Sequence, residues 1–196
     1  MRKHARRTYE QDVLLSRYQP EGPFPLVLVL DHLKAGFNVG KIIRTANAFG
    51  LREVHLVGIG VFDPGPAKGA LRHTLTRTFS TFAESHASLK AQGYSFFALE
   101  LLGQRALGST PFPEKTAFIM GHEEYGLSFA VEEFPDVNYL HIPQFGNVDS
   151  LNVSIAAALA SFEYLRQREF RVPEGYIRRP SGKSVDLPSH PGELPA

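Results

Sequence analysis

The sequence predicts an α/β fold, a parallel six-stranded sheet flanked by helices, and three observations carry that prediction. The run Leu26–Asp31, LVLVLD, is almost purely aliphatic, as expected of a strand buried on both faces of a parallel sheet. Short runs of β-formers then alternate with segments of helical periodicity, the rhythm of βα units with helices on both sides of the sheet. Third, His141–Arg168 joins an extended run, a Pro/Gly loop and a long small-residue helix without a break. Ligands of α/β sheets bind beyond the carboxyl ends of strands, where such loops lie.

Taken in order, Arg6–Arg17 has the spacing of a short docking helix, and Pro20-Glu21-Gly22-Pro23 ends it. Leu26–Asp31 is the first strand. Asn38–Phe49 carries Val39, Ile42, Ile43 and Ala46 on one side and is closed by Gly50, so it reads as a helix. Glu53–Val57 is the second strand, and Gly58–Arg72 a long loop with a short helical turn near Ala67–Leu71. Thr76–Thr81, Tyr94–Leu99, Ala117–Met120 and Val137–Ile142 are the remaining strands, with an amphipathic helix at Phe82–Gln92 and an irregular stretch at Gly103–Glu114. A loop at Gly121–Ser128 and a brief helix through Glu133 precede the last strand. Leu151, Ile155, Leu159 and Phe162 form one stripe of the final helix, while Ala156, Ala157 and Ala160 make another side smooth. A helix apolar on more than one side must bury more than one side.

A chain of 196 residues with 43% hydrophobic content suits one domain with a sizeable core. The expected division is a basic extension at 1–25, a domain at 26–169 and a Pro- and Arg-containing tail at 170–196. Cys and Trp are absent, which excludes a disulfide framework, a thiolate nucleophile and a Cys-based zinc site. The charged N-terminus is followed by no apolar signal core, and no run approaches the roughly twenty apolar residues of a membrane span. We therefore expect a cytoplasmic protein with no membrane partner. The net charge of +1 conceals basic ends around a mildly acidic middle. That asymmetry suits a phosphate-bearing partner such as RNA, although a solvated surface gives the same count.

Three loops hold the candidate chemistry. In Asp31–Arg44, DHLKAGFNVGKIIR, the spacing puts Asn38, Gly40 and Arg44 on a shared side, with the Gly backbone open to close approach. In Gly121–Ser128, GHEEYGLS, a Gly directly after a strand lets a ligand approach the backbone, and Glu123 can pin the loop. In the third, Gly146-Asn147 permits a turn with positive φ, and Asp149, Ser150 and Asn152 offer side-chain oxygens to helix N–H groups. Helix capping alone would account for the last three. His122-Glu123 does not extend to a zinc HExxH, because Gly126 stands in the final position. No metal is expected, and His73 reads as a loop histidine or RNA contact.

Together these stretches resemble the TrmH branch of the SPOUT methyltransferases. The patterns N-x-G-x-x-x-R, G-x-E-x-x-G-L and I-P-x-x-G-x-x-x-S-L-N-V-S occur as Asn38–Arg44, Gly121–Leu127 and Ile142–Ser154. The resemblance runs from Leu26 to Arg168. It implies a sheet whose C-terminal part is threaded into a trefoil knot, an exception to the rule against knots. It also implies a homodimer, S-adenosylmethionine as methyl donor, and an RNA ribose 2′-hydroxyl, in tRNA or rRNA, as acceptor. On that resemblance Arg44 is the catalytic Arg, Ser150 and Asn152 orient it or the ribose, Asn38 binds ribose or shapes its loop, and Gly121, Ile142 and Leu151 line the cofactor pocket. Leu99, Glu100 and Glu123 join the pocket. Gly36-Phe37, His32 and Asn147-Val148-Asp149 depart from the family's usual residues. Two other readings stay open, a non-catalytic RNA-binding protein on the same fold and a methyltransferase that modifies a base.

Overall fold

The computed structural model describes residues 3–148, 150–172, 174 and 176. Helix α1 (Lys3–Ser16) precedes β1 (Phe24–Asp31), α2 (Phe37–Phe49), β2 (Leu51–Val57) and β3 (Thr76–Phe79). Then come α3 (Phe82–Lys90), β4 (Ser95–Leu99), β5 (Arg105–Ala106), β6 (Thr116–Met120), β7 (Val137–His141) and α4 (Val153–Gln167). The sheet has seven strands in the order β3-β2-β1-β6-β4-β7-β5, every pair parallel.

Six strands were expected, and the seventh, β5, lies inside the stretch read as irregular. Its two residues pair only with Leu140 and His141, which is too short to display an alternation of side chains. The turn expected at Ala67–Leu71 is two 3-10 turns, Gly65–Ala67 and Ala70–His73. Asp149 and most of the tail lie outside the described residues.

Burial explains why the aliphatic runs are strands. Leu26 through Leu30 are fully buried, because α2 and α4 cover one face of the sheet and α3 the other. On the first face Val39, Ile42, Ile43 and Ala46 of α2 pack on β1 and β2, and Tyr164 and Leu165 of α4 complete the same cluster. Full burial of a side chain of this size contributes about 1.5–3 kcal/mol. On the second face Phe82 and Leu89 of α3 meet Val27, Val29, Phe96 and Ile119. Gly50 closes α2 with φ 65°, its N–H bonded to the last turn, a conformation glycine adopts without a Cβ penalty. Helix α1 docks as anticipated: Tyr9 packs edge-on against Phe62, Asp12 pairs with Arg72 at 3.0 Å, and Ser16 Oγ lies 2.5 Å from Thr76 Oγ1.

Helix α4 returns from β7 across the sheet to pack on α2, β1 and β6. Its buried side is the small one, Ser154, Ala157, Ala160 and Ser161 with Tyr164 and Leu165. The larger stripe faces outward: Ile155, Leu159 and Phe162 are 50%, 41% and 47% exposed. Small residues let α4 lie close against α2, and on the outward stripe the Phe162 ring meets Phe170, centroids 5.3 Å apart.

Candidate functional site

Strands β6, β4 and β7 are adjacent in the sheet, so the loops leaving their carboxyl ends lie side by side. Between them is a cavity of about 460 Å³. Leu99, Glu100 and Leu101 approach it from β4, Met120 through Glu124 with Gly126 from β6, and Leu140, Ile142 and Gln144 from β7. Ser150–Val153 and Ala156, where α4 begins, form the remaining wall. All six residues expected to hold the cofactor therefore line one cavity: Leu99, Glu100, Gly121, Glu123, Ile142 and Leu151. Ser150 and Asn152 join them.

Asn38 does not line the cavity but ties its walls together. Its Nδ2 donates to Glu123 Oε1 at 2.8 Å, and its Oδ1 accepts from Asn152 Nδ2 at 3.2 Å. Asn152 also caps α4, its Oδ1 accepting from the Ser154 N–H at 3.0 Å and from Ser154 Oγ at 2.6 Å. Capping and site-building are thus the work of one side chain. Burial pushes the Glu123 carboxyl up, but the hydrogen bond from Asn38, the backbone N–H groups of Glu123 and Lys34, and the nearby His122 outweigh it and hold it below its ordinary value. The expectation that Glu123 pins its loop is met in this way.

A second tie comes from Asp31 at the end of β1. Its fully buried carboxylate accepts from the Ser128 N–H at 2.7 Å, from Ser128 Oγ at 2.8 Å and from His32 Nδ1 at 2.8 Å. The loop Gly121–Ser128 is therefore anchored at both ends, through Asn38 and through Asp31. Its middle is closed by paired backbone hydrogen bonds between His122 and Gly126, 2.7 and 2.9 Å.

Two expectations about glycines change. Asn38, Gly40 and Arg44 do not share one surface: a Cβ on Gly40 would come 3.0 Å from the Ala67 backbone N, so the close neighbour is the 3-10 turn of the same chain. Arg44 is exposed on α2, outside the cavity lining. Gly146 is not among the positive-φ glycines, and a Cβ there would meet open space. Gly121, read as open to a ligand's approach, lines the cavity, and the atoms nearest an added Cβ are the backbones of Gly126 and Leu127, 2.7–2.9 Å away.

The lining has a definite chemical character. Leu99, Met120, Leu140, Ile142, Leu151 and Ala156 supply an apolar surface, and Glu100, Glu123 and Glu124 are its charged members, with no Lys or Arg among the lining residues. Gln144 Oε1 is buried without a hydrogen-bond partner, and burial pushes the Glu100 carboxyl above its ordinary value. Unsatisfied acceptors in a concave apolar site suit a ligand that brings N–H or O–H donors and positive charge. Gln144 escaped the sequence reading because it occupies an unspecified position of its motif, and His122 and Met120 because neighbours carry the motif letters.

A tRNA (guanosine(18)-2′-O)-methyltransferase of Thermus thermophilus is 32% identical over 172 residues, covering 85% of this chain and 85% of that protein. An uncharacterized tRNA/rRNA methyltransferase of Synechocystis is 30% identical over 170 residues, covering 84% of this chain; the chain spans 44% of that relative's length. Among solved structures, the AdoMet-bound rRNA methyltransferase of Sinorhizobium meliloti superposes with a TM-score of 0.65 at 26% identity, covering 78% of this chain and 59% of the other. The model of the SpoU rRNA Methylase family matches residues 25–162, and the chain belongs to that family.

Proposed function

We propose that this chain is an S-adenosylmethionine-dependent RNA methyltransferase that transfers a methyl group to a ribose 2′-hydroxyl of tRNA or rRNA. The observation that carries the proposal is the single cavity in which all six expected cofactor residues meet Ser150 and Asn152, in a chain of the SpoU family. The donor fits the lining. Its adenine suits the Leu, Ile and Met surface, its amino and hydroxyl hydrogens match Gln144 Oε1 and the Glu100 carboxyl, and its sulfonium and ammonium charges suit a wall with carboxylates and no cations. A P-loop is unnecessary because the donor has no phosphate.

When bound, S-adenosylmethionine supplies an electrophilic methyl. The chain's own task is to align the acceptor hydroxyl and ease the loss of its proton, and positioning of this kind supplies several kcal/mol. A guanidinium is a poor proton acceptor, so we assign Arg44 to the phosphate beside the acceptor ribose, where its charge stabilises the developing alkoxide. Because Arg44 is absent from the cavity lining of its own chain, it meets the acceptor on RNA laid over α2 or at the cavity of a second subunit. Ser150 and Asn152 orient the ribose, and Asn38 holds Asn152 against Glu123.

We also propose a homodimer, supported by the exposed apolar stripe Ile155, Leu159 and Phe162 of α4. A trefoil thread at the β7–α4 connection is supported by the return of α4 from β7 to β1 and β6. Among the described residues no helix is long and apolar enough to cross a membrane, and an RNA substrate agrees with a cytoplasmic setting. Residues 1–25 and 170–196 are taken as basic flanks of the 26–169 domain. The test is incubation with labelled S-adenosylmethionine and separate pools of unmethylated tRNA and rRNA. Label in a 2′-O-methylnucleoside supports the proposal, label in a base favours the base-modifying alternative, and RNA binding without transfer favours the non-catalytic one.

A further inference from the structure

We propose that Tyr125, stacked on His122 at the mouth of the cavity, is a platform for an unpaired nucleobase of the RNA substrate. The inference rests on the reading of the chain as an RNA methyltransferase and adds to it a contact for the base beside the acceptor ribose. Tyr125 is 81% exposed, and its ring lies over the His122 imidazole at 4.7 Å with 29° between the planes. One ring face is thus covered while the side chain as a whole stays open to solvent.

The platform is held still. His122 and Gly126 exchange two backbone hydrogen bonds, so Tyr125 sits in a closed turn. His122 Nδ1 accepts from the Glu124 N–H at 3.0 Å and from the Tyr125 N–H at 3.4 Å, which fixes the imidazole under the phenol. Glu123 is tied to Asn38 at 2.8 Å. A rigid turn does not need an aromatic at its tip, and an exposed tyrosine with no core to fill contributes little to folding. Its neighbours Glu124 and Gly126 line the cavity, as does His122 itself. Phe145, the chain neighbour of the lining residue Gln144, is a further exposed aromatic, 97% exposed.

An unpaired base is the occupant these features suit. Every base offers a π face, so an aromatic platform holds it without reading its identity. The cavity lining has no cation to draw a phosphate, so the contact at this mouth is by stacking and the phosphate is left to Arg44. A base on Tyr125 stacks beside the cavity that Ser150 and Asn152 also line.

The test uses the full chain and a single-stranded RNA oligonucleotide carrying 2-aminopurine, whose fluorescence falls when the base stacks. The wild type is expected to quench it. Tyr125→Ala should abolish the quenching and weaken RNA binding about 10–100-fold, whereas Tyr125→Phe should keep both, with S-adenosylmethionine affinity the same in all three. The proposal is overturned by an unquenched wild-type complex, by Tyr125→Ala that binds and quenches normally, or by Tyr125→Phe that fails as badly as Ala. It is also overturned if Tyr125→Ala dissociates an oligomer in sedimentation, since the ring would then be buried between subunits. Methyl incorporation measured in parallel separates the two readings. Quenching without transfer refutes the enzymatic reading alone, and transfer unaffected by Tyr125→Ala refutes the platform alone.

Discussion

Replacing Gly121 with Ala tests the geometry of the cavity wall directly. The added Cβ would lie 2.7 Å from Gly126 C, 2.8 Å from Gly126 O and 2.9 Å from Leu127 N, where ordinary contact begins at 3.4 Å. Backbone atoms cannot turn aside as a flexible side chain does. The return limb of the turn must therefore retreat by roughly half an ångström or more, and overpacking of this kind costs about 1–3 kcal/mol. That limb is tied to Asp31 through Ser128, while Gly121 continues β6, so the strain falls on the turn that forms the cavity wall. If all of it appears in the binding equilibrium, S-adenosylmethionine affinity drops about 5–150-fold. Titration calorimetry reads that change, and urea unfolding shows how much strain is already felt without ligand. Gly108→Ala is the control, because a Cβ there meets nothing within 4 Å. A Gly121→Ala protein with unchanged affinity and stability would refute the packing described for this turn.

Arg44→Ala should lower methyl transfer at least about 100-fold, the scale of losing a group that stabilises developing charge, while S-adenosylmethionine affinity measured by calorimetry stays within about twofold of the wild type; equal loss of both would remove Arg44 from the role assigned. Glu123 is held below its ordinary 4.5, so its tie to Asn38 is fully present above that value and is lost as pH falls through the lowered one. In Asn38→Ala the carboxyl should titrate at higher pH by carbon-13 NMR, and coincident titrations would contradict the bridge. Glu53, 1% exposed, accepts from Arg77 Nε at 2.6 Å and His55 Nε2 at 3.1 Å; burial pushes its carboxyl up, but these bonds and charges outweigh that and hold it low. Glu53→Gln should cost about 1.5–3 kcal/mol, or roughly 3–12 °C in Tm, at neutral pH, because the Arg77 side chain left behind is half exposed. Thermal melts of the two proteins should converge as pH falls below 4.5, where the wild type loses this contribution, and a constant difference at all pH values would assign the effect to something other than charge.

Much of the fold was legible because it is local. An aliphatic run such as Leu26–Leu30 can be stable only where both faces are covered, and Gly50 after an amphipathic segment marks a helix end wherever the helix packs. The loops Gly121–Ser128 and Ile142–Ser154 were legible as motifs, and the residues expected to hold a cofactor line one cavity. What was not legible depends on partners distant in the chain. The Asn38 bridge joins side chains whose spacing carries no periodic signal, and the anchoring of Ser128 by Asp31 is equally remote in sequence. Strand β5 exists because Arg105 and Ala106 find the free edge of β7, not through any propensity of their own. For α4 the pattern showed two apolar sides but not which would be inside. Close packing against α2 selected the small one, and Ile155, Leu159 and Phe162 stay partly exposed. Gly40 illustrates the same limit, since its motif suggests room for a ligand where the structure places Ala67.

The central claim is that the cavity between the Gly121–Ser128 loop and the start of α4 binds S-adenosylmethionine. Hydrogen–deuterium exchange of the full chain with and without the compound tests it most directly, because it reports where binding acts and needs no RNA substrate. The account predicts slowed exchange at residues 121–126 and 142–156 and at the end of β4, with little change in α1 and α3. No protection at saturating ligand, or protection concentrated away from these loops, would contradict it.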